Sequence, residues 1–196
     1  MLSFLYLIYN NLIKHGKKLI FHIFFIVWSD FLTFAEKSRG MFQEIERKFL
    51  VKGDFKKEVF QATEIKQGYL CRDNGMTVRV RIKGDKGFLT IKGKRTGISR
   101  FEWEKEITVD EALALLEQSN SGLIEKTRHL VKNTDGKHTW EVDVFHGDNE
   151  GLVIAEIELA DENEPFDKPE WIGREVTEEK RYYNSQLLKD PYKNWK

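Results

Sequence analysis

The sequence has few of the cysteine and histidine residues that cross-link small proteins through disulfide bonds or zinc ions. A single cysteine, Cys71, stands among 196 residues, which excludes an internal disulfide bond and fits a reducing compartment. The five histidines are scattered, and none has a second metal ligand at a spacing typical of zinc sites. We therefore expect a cytoplasmic protein without a zinc centre.

The chain also lacks net charge. Lysine plus arginine and aspartate plus glutamate number 32 each, so the formal net charge at pH 7 is zero. No global field then attracts nucleic acid or an anionic membrane surface, and we expect neither as a partner of the folded body. Charge that serves a function must instead be arranged locally.

No apolar run reaches the roughly 20 residues that span a bilayer. Segments 2–13 and 19–28 are mostly apolar, with Lys17 and Lys18 between them. This order imitates a signal segment, although an apolar stretch precedes the lysines. A peripheral membrane helix, a packed structural helix and an extension ahead of a start at Met41 are the alternatives. We favour an extension over residues 1–40 and predict one domain over residues 41–196.

The opening of that domain carries an unusual charge pattern. Glu44, Glu46 and Lys48 occupy every second position, so in a β-strand their side chains share one face. Ile45 and Phe49 then point to the opposite face. Two carboxylates and an ammonium side by side suit a metal and a phosphate better than they suit solvent.

Alternation of apolar and charged residues recurs in seven later segments. They are residues 64–72, 76–83, 88–94, 98–108, 124–131, 140–144 and 151–160. Most are joined by short turns with little room for parallel crossovers, which predicts an antiparallel sheet. Helical spacing over residues 110–119 and a short helix near residues 182–188 make the predicted fold class α+β.

The charged face is sorted by sign, strand by strand. In any single strand, a sheet with one solvent-exposed face explains the alternation of apolar and charged residues. Such a sheet gains no stability from like charges two residues apart on the same strand. The acidic pairs are Glu44/Glu46, Glu102/Glu104, Glu141/Asp143 and Glu156/Glu158, and the basic pairs are Arg79/Arg81, Lys92/Lys94 and Lys126/Arg128. Eight strands can close into a small barrel, which would place these charges inside and the apolar faces outside under the helices.

A charged interior is stable only if its groups pair with one another or with a ligand. Carboxylates are the ligands that Mg²⁺ or Mn²⁺ prefers, and clustered arginine and lysine suit a polyphosphate. A metal-bound triphosphate meets both demands. The chain has no glycine-rich phosphate loop, so side chains would have to hold the phosphates.

From Met41 to about Leu188 the sequence closely resembles the CYTH superfamily, the triphosphate tunnel metalloenzymes. The resemblance rests on Glu44-Ile45-Glu46-Arg47-Lys48, Gln67-Gly68-Tyr69-Leu70, Thr77-Val78-Arg79-Val80-Arg81, Leu89-Thr90-Ile91-Lys92, Arg100-x-Glu102-x-Glu104, Lys126-Thr127-Arg128, Ala155-Glu156-Ile157-Glu158-Leu159 and Arg181-Tyr182-x-Asn184. It implies an eight-stranded antiparallel tunnel with charged side chains inside. It also implies a Mg²⁺- or Mn²⁺-dependent hydrolase that cleaves the terminal phosphoanhydride of a triphosphate.

The resemblance also implies roles for individual residues. The metal ligands would be Glu44, Glu46, Asp143, Glu156 and Glu158. The substrate-binding cations would be Lys48, Arg79, Arg81, Lys92, Lys94, Arg100, Lys126, Arg128 and Arg181. Lys48 and Tyr69 are the predicted catalytic pair, handling the proton of an attacking water. For Glu102, Glu104 and Glu141, ion pairing with the cations and metal ligation both stay open.

We expect inorganic triphosphate to be the preferred substrate, because this sequence shows no long insertion or second domain that would grip a nucleoside. The alternatives are a class IV adenylate cyclase, a thiamine triphosphatase and a polyphosphate-binding module without turnover. The sequence leaves open whether the chain forms a homodimer.

Overall fold

The computed structural model describes residues 42–119 and 122–195, so the expectations for residues 1–40 lie outside the described part of the chain. The strands are β1 (Gln43–Val51), β2 (Val59–Asp73), β3 (Met76–Lys83), β4 (Lys86–Lys92), β5 (Ser99–Ile107), β6 (Ile124–Lys132), β7 (Thr139–Phe145), β8 (Val153–Glu158) and β9 (Ile172–Glu175). The α-helices are α1 (Val109–Glu117) and α2 (Asn184–Leu187), and single 3-10 turns lie at Lys56–Glu58, Gly147–Asn149, Lys180–Tyr182 and Tyr192–Asn194. None of the helices in these ranges is long and apolar enough to cross a membrane.

Eight of the strands close into an antiparallel barrel, as predicted. Neighbours follow the order β5-β4-β3-β2-β6-β7-β8-β1, and β1 pairs back with β5 to complete the ring. Gln43 lies opposite Phe101 and Ile45 opposite Ser99 at this closing pair. The remaining strand, β9, adds to the far half of β1, where Phe49 lies opposite Glu175. This short ninth strand was not predicted, because four residues are too few for a clear alternation.

The turn between β2 and β3 consists of Asn74 and Gly75. Asn74 and Gly75 both have positive φ, at 47° and 87°, which fits the tight turns that join twisted antiparallel strands. β2, which precedes this turn, begins earlier than predicted, at Val59. Its pairing with β3 shifts register between Tyr69 and Cys71. Such a bulge bends a strand and re-aims its side chains.

Helix α1 covers the outer face of β2, β3 and β4. It starts at a capping box in which Thr108 and Glu111 satisfy each other's backbone N–H groups. Ala112 and Leu116 then pack against Val80. Gly87 allows the close approach, since a Cβ there would lie 2.6 Å from the Thr108 carbonyl oxygen.

Irregular segments cover much of the rest of the outer surface, where only helices were expected. Phe49, Trp140 and Ile157 pack outward against Trp171 and neighbouring apolar side chains that lie outside the barrel strands. The segment after Asp54 forms a single 3-10 turn at Lys56–Glu58, because β2 already begins at Val59.

One end of the barrel interior is apolar. Ile124, Phe145 and Ile154 follow the inward alternation of β6, β7 and β8, and they pack with Tyr182 and Leu187 from the C-terminal segment. The β2–β3 turn and the β4–β5 loop lie at this same end, given the antiparallel pairing. The charged part of the interior therefore stops at a closed end formed by the C-terminal segment.

Candidate functional site

The barrel encloses a cavity of about 120 Å³ whose walls are almost entirely charged or polar. Seven of the eight barrel strands, all except β2, contribute ionised side chains. The ionised lining residues are Glu44, Glu46, Lys48, Arg79, Arg81, Lys83, Lys92, Arg95, Arg100, Glu102, Arg128, Glu141, Glu156 and Glu158, and the neutral ones are Tyr69, Thr77, Tyr183, Asn184 and Ser185. Most of the residues that the sequence pattern placed on one face thus meet in one space.

On one side of the cavity the cations of β3 and β4 face the glutamates of β5. Lys92 lies directly opposite Glu102 in the strand register, and its Nζ is 2.7 Å from a Glu102 carboxylate oxygen. Arg81 donates to both oxygens of Glu104 at 3.0 Å. Opposite charges on facing strands stabilise each other, so the ion-pair role considered for Glu102 and Glu104 is realised here.

These cations nevertheless carry unused hydrogen-bonding capacity. The Nε atoms of Arg79 and Arg81 are buried and have no hydrogen-bond partner within residues 42–119 and 122–195. Burial and the neighbouring Arg79 lower the pKa of Lys92 and of Arg81, because like charges disfavour the protonated form. The basic wall is therefore short of negative charge.

Glu44 connects the basic wall to β1. It accepts hydrogen bonds from Lys92 at 2.8 Å and from Arg100 at 2.6 Å. Although burial opposes ionisation, these two cations hold the pKa of Glu44 well below its ordinary value. The predicted metal ligand Glu44 is thus ionised and, in this arrangement, bound to cations.

On the other side of the cavity, β6, β7 and β8 form a more deeply buried group. Arg128 binds both oxygens of Asp143 at 2.7 Å and a Glu156 oxygen at 2.8 Å. Lys126 also pairs with Asp143. Burial lowers the pKa of Lys126 to about 8, against the pull of Asp143. Among the described residues, Lys126 and Asp143 are not part of the cavity lining, because they lie next to the closed end.

The predicted catalytic residues Lys48 and Tyr69 both line the cavity. Although burial opposes its charge, Glu156 and Glu46 raise the pKa of Lys48 above its ordinary value. Burial raises the pKa of Tyr69, so its phenol stays neutral. Both groups are protonated and can donate hydrogen bonds, and their part in handling the proton of an attacking water stays a prediction.

The backbone around Tyr69 is fixed by the chain that follows α1. The Ser119 hydroxyl accepts from the Tyr69 N–H at 3.1 Å and donates to the Tyr69 carbonyl oxygen at 3.3 Å. This contact lies beside the bulge between Tyr69 and Cys71. The Ser119 hydroxyl thus supplies the hydrogen bonds that β6 would supply to β2, because the pairing of β6 with β2 ends at Gln67.

Besides Lys126, two predicted substrate-binding residues lie away from the cavity. β4 ends at Lys92, so Lys94 has left the alternation, is exposed and lies beside Gly75. Arg181 is exposed, and its guanidinium carbon lies 3.8 Å from the centre of the Trp195 ring. The substrate-binding roles of both residues stay predictions, since the spacing of charges alone could not show where β4 ends or which way the 3-10 turn faces.

Several lining residues were missed by the sequence analysis. Arg95 comes from the β4–β5 loop, donates to Glu46 at 3.0 Å and stacks over the Tyr183 ring at 5.3 Å. Loop residues carry no alternation, so no signal marked Arg95. Thr77 and Lys83 share the inward face of Arg79 and Arg81, and extending that pattern would have found them.

Glu158 differs from the other carboxylates in its surroundings. Although solvent reaches part of its side chain, partial desolvation together with Glu141, Glu44, Glu46 and Glu102 raises the pKa of Glu158 to about 7. It lies directly opposite Glu46 in the strand register. In the described ranges, no three histidine, cysteine, aspartate or glutamate side chains already converge as a metal site, but this crowding of carboxylates is what a cation would relieve.

Comparison with known proteins agrees with this geometry. The CYTH domain matches residues 43–191. An inorganic triphosphatase of Acetivibrio thermocellus is 55% identical over 157 residues, covering 80% of this chain and 99% of that protein. An inorganic triphosphatase of Nitrosomonas europaea is 39% identical over 147 residues, covering 74% of this chain and 95% of that protein.

The fold of a solved relative is similar as well. The crystal structure of an inorganic triphosphatase matches with a TM-score of 0.56 and 36% identity, covering 74% of this chain and 93% of the other. The sequence match spans the barrel strands that build the cavity, and the solved relative has the same fold. This chain belongs to the CYTH domain family.

Proposed function

We propose that this protein hydrolyses inorganic triphosphate to pyrophosphate and phosphate with the help of Mg²⁺ or Mn²⁺. Its relatives of 55% and 39% identity are inorganic triphosphatases that it matches over 99% and 95% of their lengths. The cavity supplies the chemistry, because its walls combine a basic side with a carboxylate side.

The observation that carries the proposal is the unused Nε donors of Arg79 and Arg81 in a wall of mutually repelling cations. A buried donor without a partner costs free energy, and an anionic oxygen would satisfy it. A triphosphate supplies many such oxygens. Glu102 and Glu104, which now pair with these cations, would yield to phosphate oxygens when substrate binds.

The carboxylate side fits a divalent cation by its donor chemistry. Glu44, Glu46, Glu156 and Glu158 offer the hard oxygen ligands that Mg²⁺ and Mn²⁺ prefer, and the raised pKa of Glu158 marks negative charge that lacks compensation. A bound ion would polarise phosphate oxygens and neutralise developing charge. Asp143 is fully buried and, among the described residues, is not part of the cavity lining. We therefore assign it to holding Arg128, which donates to both of its oxygens.

In the reaction, the oxygen of a water molecule attacks the terminal phosphorus. The bond from that phosphorus to the bridging oxygen breaks, and its electron pair leaves with pyrophosphate. The proton lost by the water passes to a carboxylate of the cavity or to solvent. Lys48, which stays protonated, and the arginines neutralise the charge on the phosphate oxygens, so catalysis is mainly electrostatic.

A panel of substrates tests the proposal. Purified protein is incubated with inorganic triphosphate, ATP and thiamine triphosphate, each with Mg²⁺ or Mn²⁺, and the products are identified. We expect inorganic triphosphate to be cleaved fastest, giving phosphate and pyrophosphate. Equal rates on all three substrates would remove the preference, and cyclic AMP from ATP would identify a cyclase instead.

The assigned metal ligands are tested by substitution. Glu156→Ala should lower metal-dependent phosphate release by about 10²-fold or more, a loss typical of removing one electrostatic catalytic group. Glu158→Gln is a second variant, because its exposed position protects the fold from the change. Glu170→Ala, on the exposed loop before β9, is the matched control. Full activity in both test variants would refute the assigned metal site.

A further inference from the structure

The cavity contains one unpartnered acceptor that the proposed reaction has not used. The Oδ1 atom of Asn184 is buried and has no hydrogen-bond partner in the described ranges, and Asn184 lines the cavity. The other unpartnered buried side-chain atoms among the lining residues are the Nε donors of Arg79 and Arg81. The site therefore has two free donors on one wall and one free acceptor elsewhere.

These free groups call for different ligands. Nε donors fit phosphate oxygens, whereas an amide oxygen takes either a hydrogen-bond donor or a cation. We place the divalent cation at the carboxylate side, which leaves a hydrogen-bond donor for Asn184. A fully ionised triphosphate has only acceptors, so it cannot satisfy Asn184 Oδ1. Water can, and water is the second reactant in hydrolysis.

The position of Asn184 is fixed from both sides. Arg72 donates to the carbonyl oxygen of Ser185 at 2.7 Å. On the other side, the Tyr183 hydroxyl donates to the Thr177 carbonyl oxygen at 3.1 Å. Three residues beyond Asn184, Leu187 is fully buried in the closed end of the barrel. A group held in this way can orient a ligand without an additional entropy cost for ordering its own side chain.

Asn184 also lies at the same end of the cavity as Tyr69. The Arg72 guanidinium carbon is 5.8 Å from the centre of the Tyr69 ring, while another atom of the same guanidinium binds Ser185. The hydroxyl of Thr177 accepts from the backbone N–H of Lys48 at 3.0 Å. The predicted catalytic residues and Asn184 therefore border one region, next to the closed end.

We propose that Asn184 is a catalytic residue that binds the attacking water through Oδ1 at the closed end of the cavity. One hydrogen of the water donates to Oδ1, which leaves an oxygen lone pair free to form the bond to the terminal phosphorus. The bond to the bridging oxygen breaks and its electron pair leaves with pyrophosphate. The other proton of the water goes to a cavity carboxylate, since an amide oxygen is too weak a base to take it.

This inference rests on the proposed function, and it names the group that orients the nucleophile. Water-positioning side chains of neutral charge serve the same purpose in other phosphoryl-transfer sites. The terminal phosphate would then lie toward the closed end, and the leaving pyrophosphate toward the end where Lys83 lines the cavity.

The test compares Asn184→Ala with Asn184→Asp, which keeps an oxygen acceptor at nearly the same place. We expect Asn184→Ala to lower kcat about 10- to 100-fold, the effect of losing one hydrogen bond to the reacting water, with KM changed little. Asn184→Asp should recover much of this kcat, although its charge raises KM. Triphosphate affinity measured without divalent metal should be unchanged in Asn184→Ala.

Other results would overturn the inference. An unchanged kcat in Asn184→Ala would remove the role, and a larger kcat loss in Asn184→Asp than in Asn184→Ala would mean that the amide donates to a phosphate oxygen. Equal losses that follow a lower thermal stability would mean a structural role. Asn163→Ala and Asn163→Asp, on the exposed β8–β9 loop, are the matched controls. If the unaltered protein does not cleave triphosphate, the proposed function fails, whatever the variants show.

Discussion

The barrel interior holds two groups of ion pairs that differ in burial. We call Lys126, Arg128, Asp143 and Glu156 the deep cluster, and between 0% and 9% of their side-chain surfaces are exposed. We call Arg81, Glu102 and Glu104 the shallow cluster, and 13%, 20% and 27% of their side-chain surfaces are exposed. In the deep cluster, Arg128 binds Asp143 bidentately. In the shallow cluster, Arg81 shares Glu104 as an acceptor with Arg79, and within the described part of the chain the Nε donor of Arg81 is unused.

This difference in burial separates ion pairs that keep the site in shape from ion pairs that can be replaced by contacts with substrate. Breaking a buried pair leaves an uncompensated charge in a medium where charge is costly. Pairs near solvent contribute little to stability, because water screens them and replaces their contacts. We infer that the deep cluster fixes the geometry of the cavity and that the shallow cluster is released when phosphate binds.

The largest expected effect is on stability. Asp143→Ala leaves Lys126 and Arg128 without their shared carboxylate, and it should lower the free energy of unfolding by about 3–5 kcal/mol. Glu104→Ala in the shallow cluster is the matched control, with an expected loss of at most about 1 kcal/mol. Urea unfolding at pH 7 measures both. Similar losses in the two variants would break the distinction between the clusters.

A smaller effect concerns pH and metal binding. The pKa of Glu158 is raised to about 7, so between pH 8 and pH 6 the carboxyl takes up a proton that a metal ion must displace. Affinity for Mn²⁺ should then fall about tenfold over this range, and Glu158→Gln should remove most of this pH dependence. Titration of the protein with Mn²⁺ at both pH values measures the change.

The same shift has a consequence for folding in the absence of metal. A carboxyl with a raised pKa keeps its proton in the folded protein while the unfolded chain has lost it. The contribution of Glu158 to stability therefore falls as pH rises from about 4.5 through 7. The change is small, because solvent reaches this side chain. A rise in metal-free stability over this range that Glu158→Gln abolishes would contradict the sign.

The smallest expected effect tests the exchange of the shallow cluster. Glu104→Gln removes a negative charge that competes with phosphate for Arg79 and Arg81. Triphosphate affinity without divalent metal should rise a few-fold, as expected for a partly exposed charge. Isothermal titration measures it, and Glu106→Gln, which pairs with the exposed Lys86, is the control. A weaker affinity in Glu104→Gln would mean that this carboxylate organises the arginines for the substrate.

Alternation in the sequence was enough to predict the barrel and most of its charged lining. It assigns each side chain to a face, but it says nothing about depth along the barrel axis. Lys126 and Asp143 were therefore expected beside substrate, although they are buried next to the closed end. Arg95 and Asn184 could not be placed by alternation, because a loop and a short C-terminal helix bring them to the cavity. Their positions follow from tertiary packing, which has no local period.

The closing pairs of β1 have a consequence for how the protein folds. Lys48 meets Glu156 across 108 positions of sequence, while the strands from β2 to β5 are joined by short local turns. Contacts that are distant in sequence form slowly, because a long loop must be ordered before they add stability. The neighbouring hairpins can therefore form before β1 pairs with β5 and β8 to close the barrel. Closure of the barrel then also creates the cavity, in one late step. A partly folded chain without β1 in place therefore has no binding site for substrate.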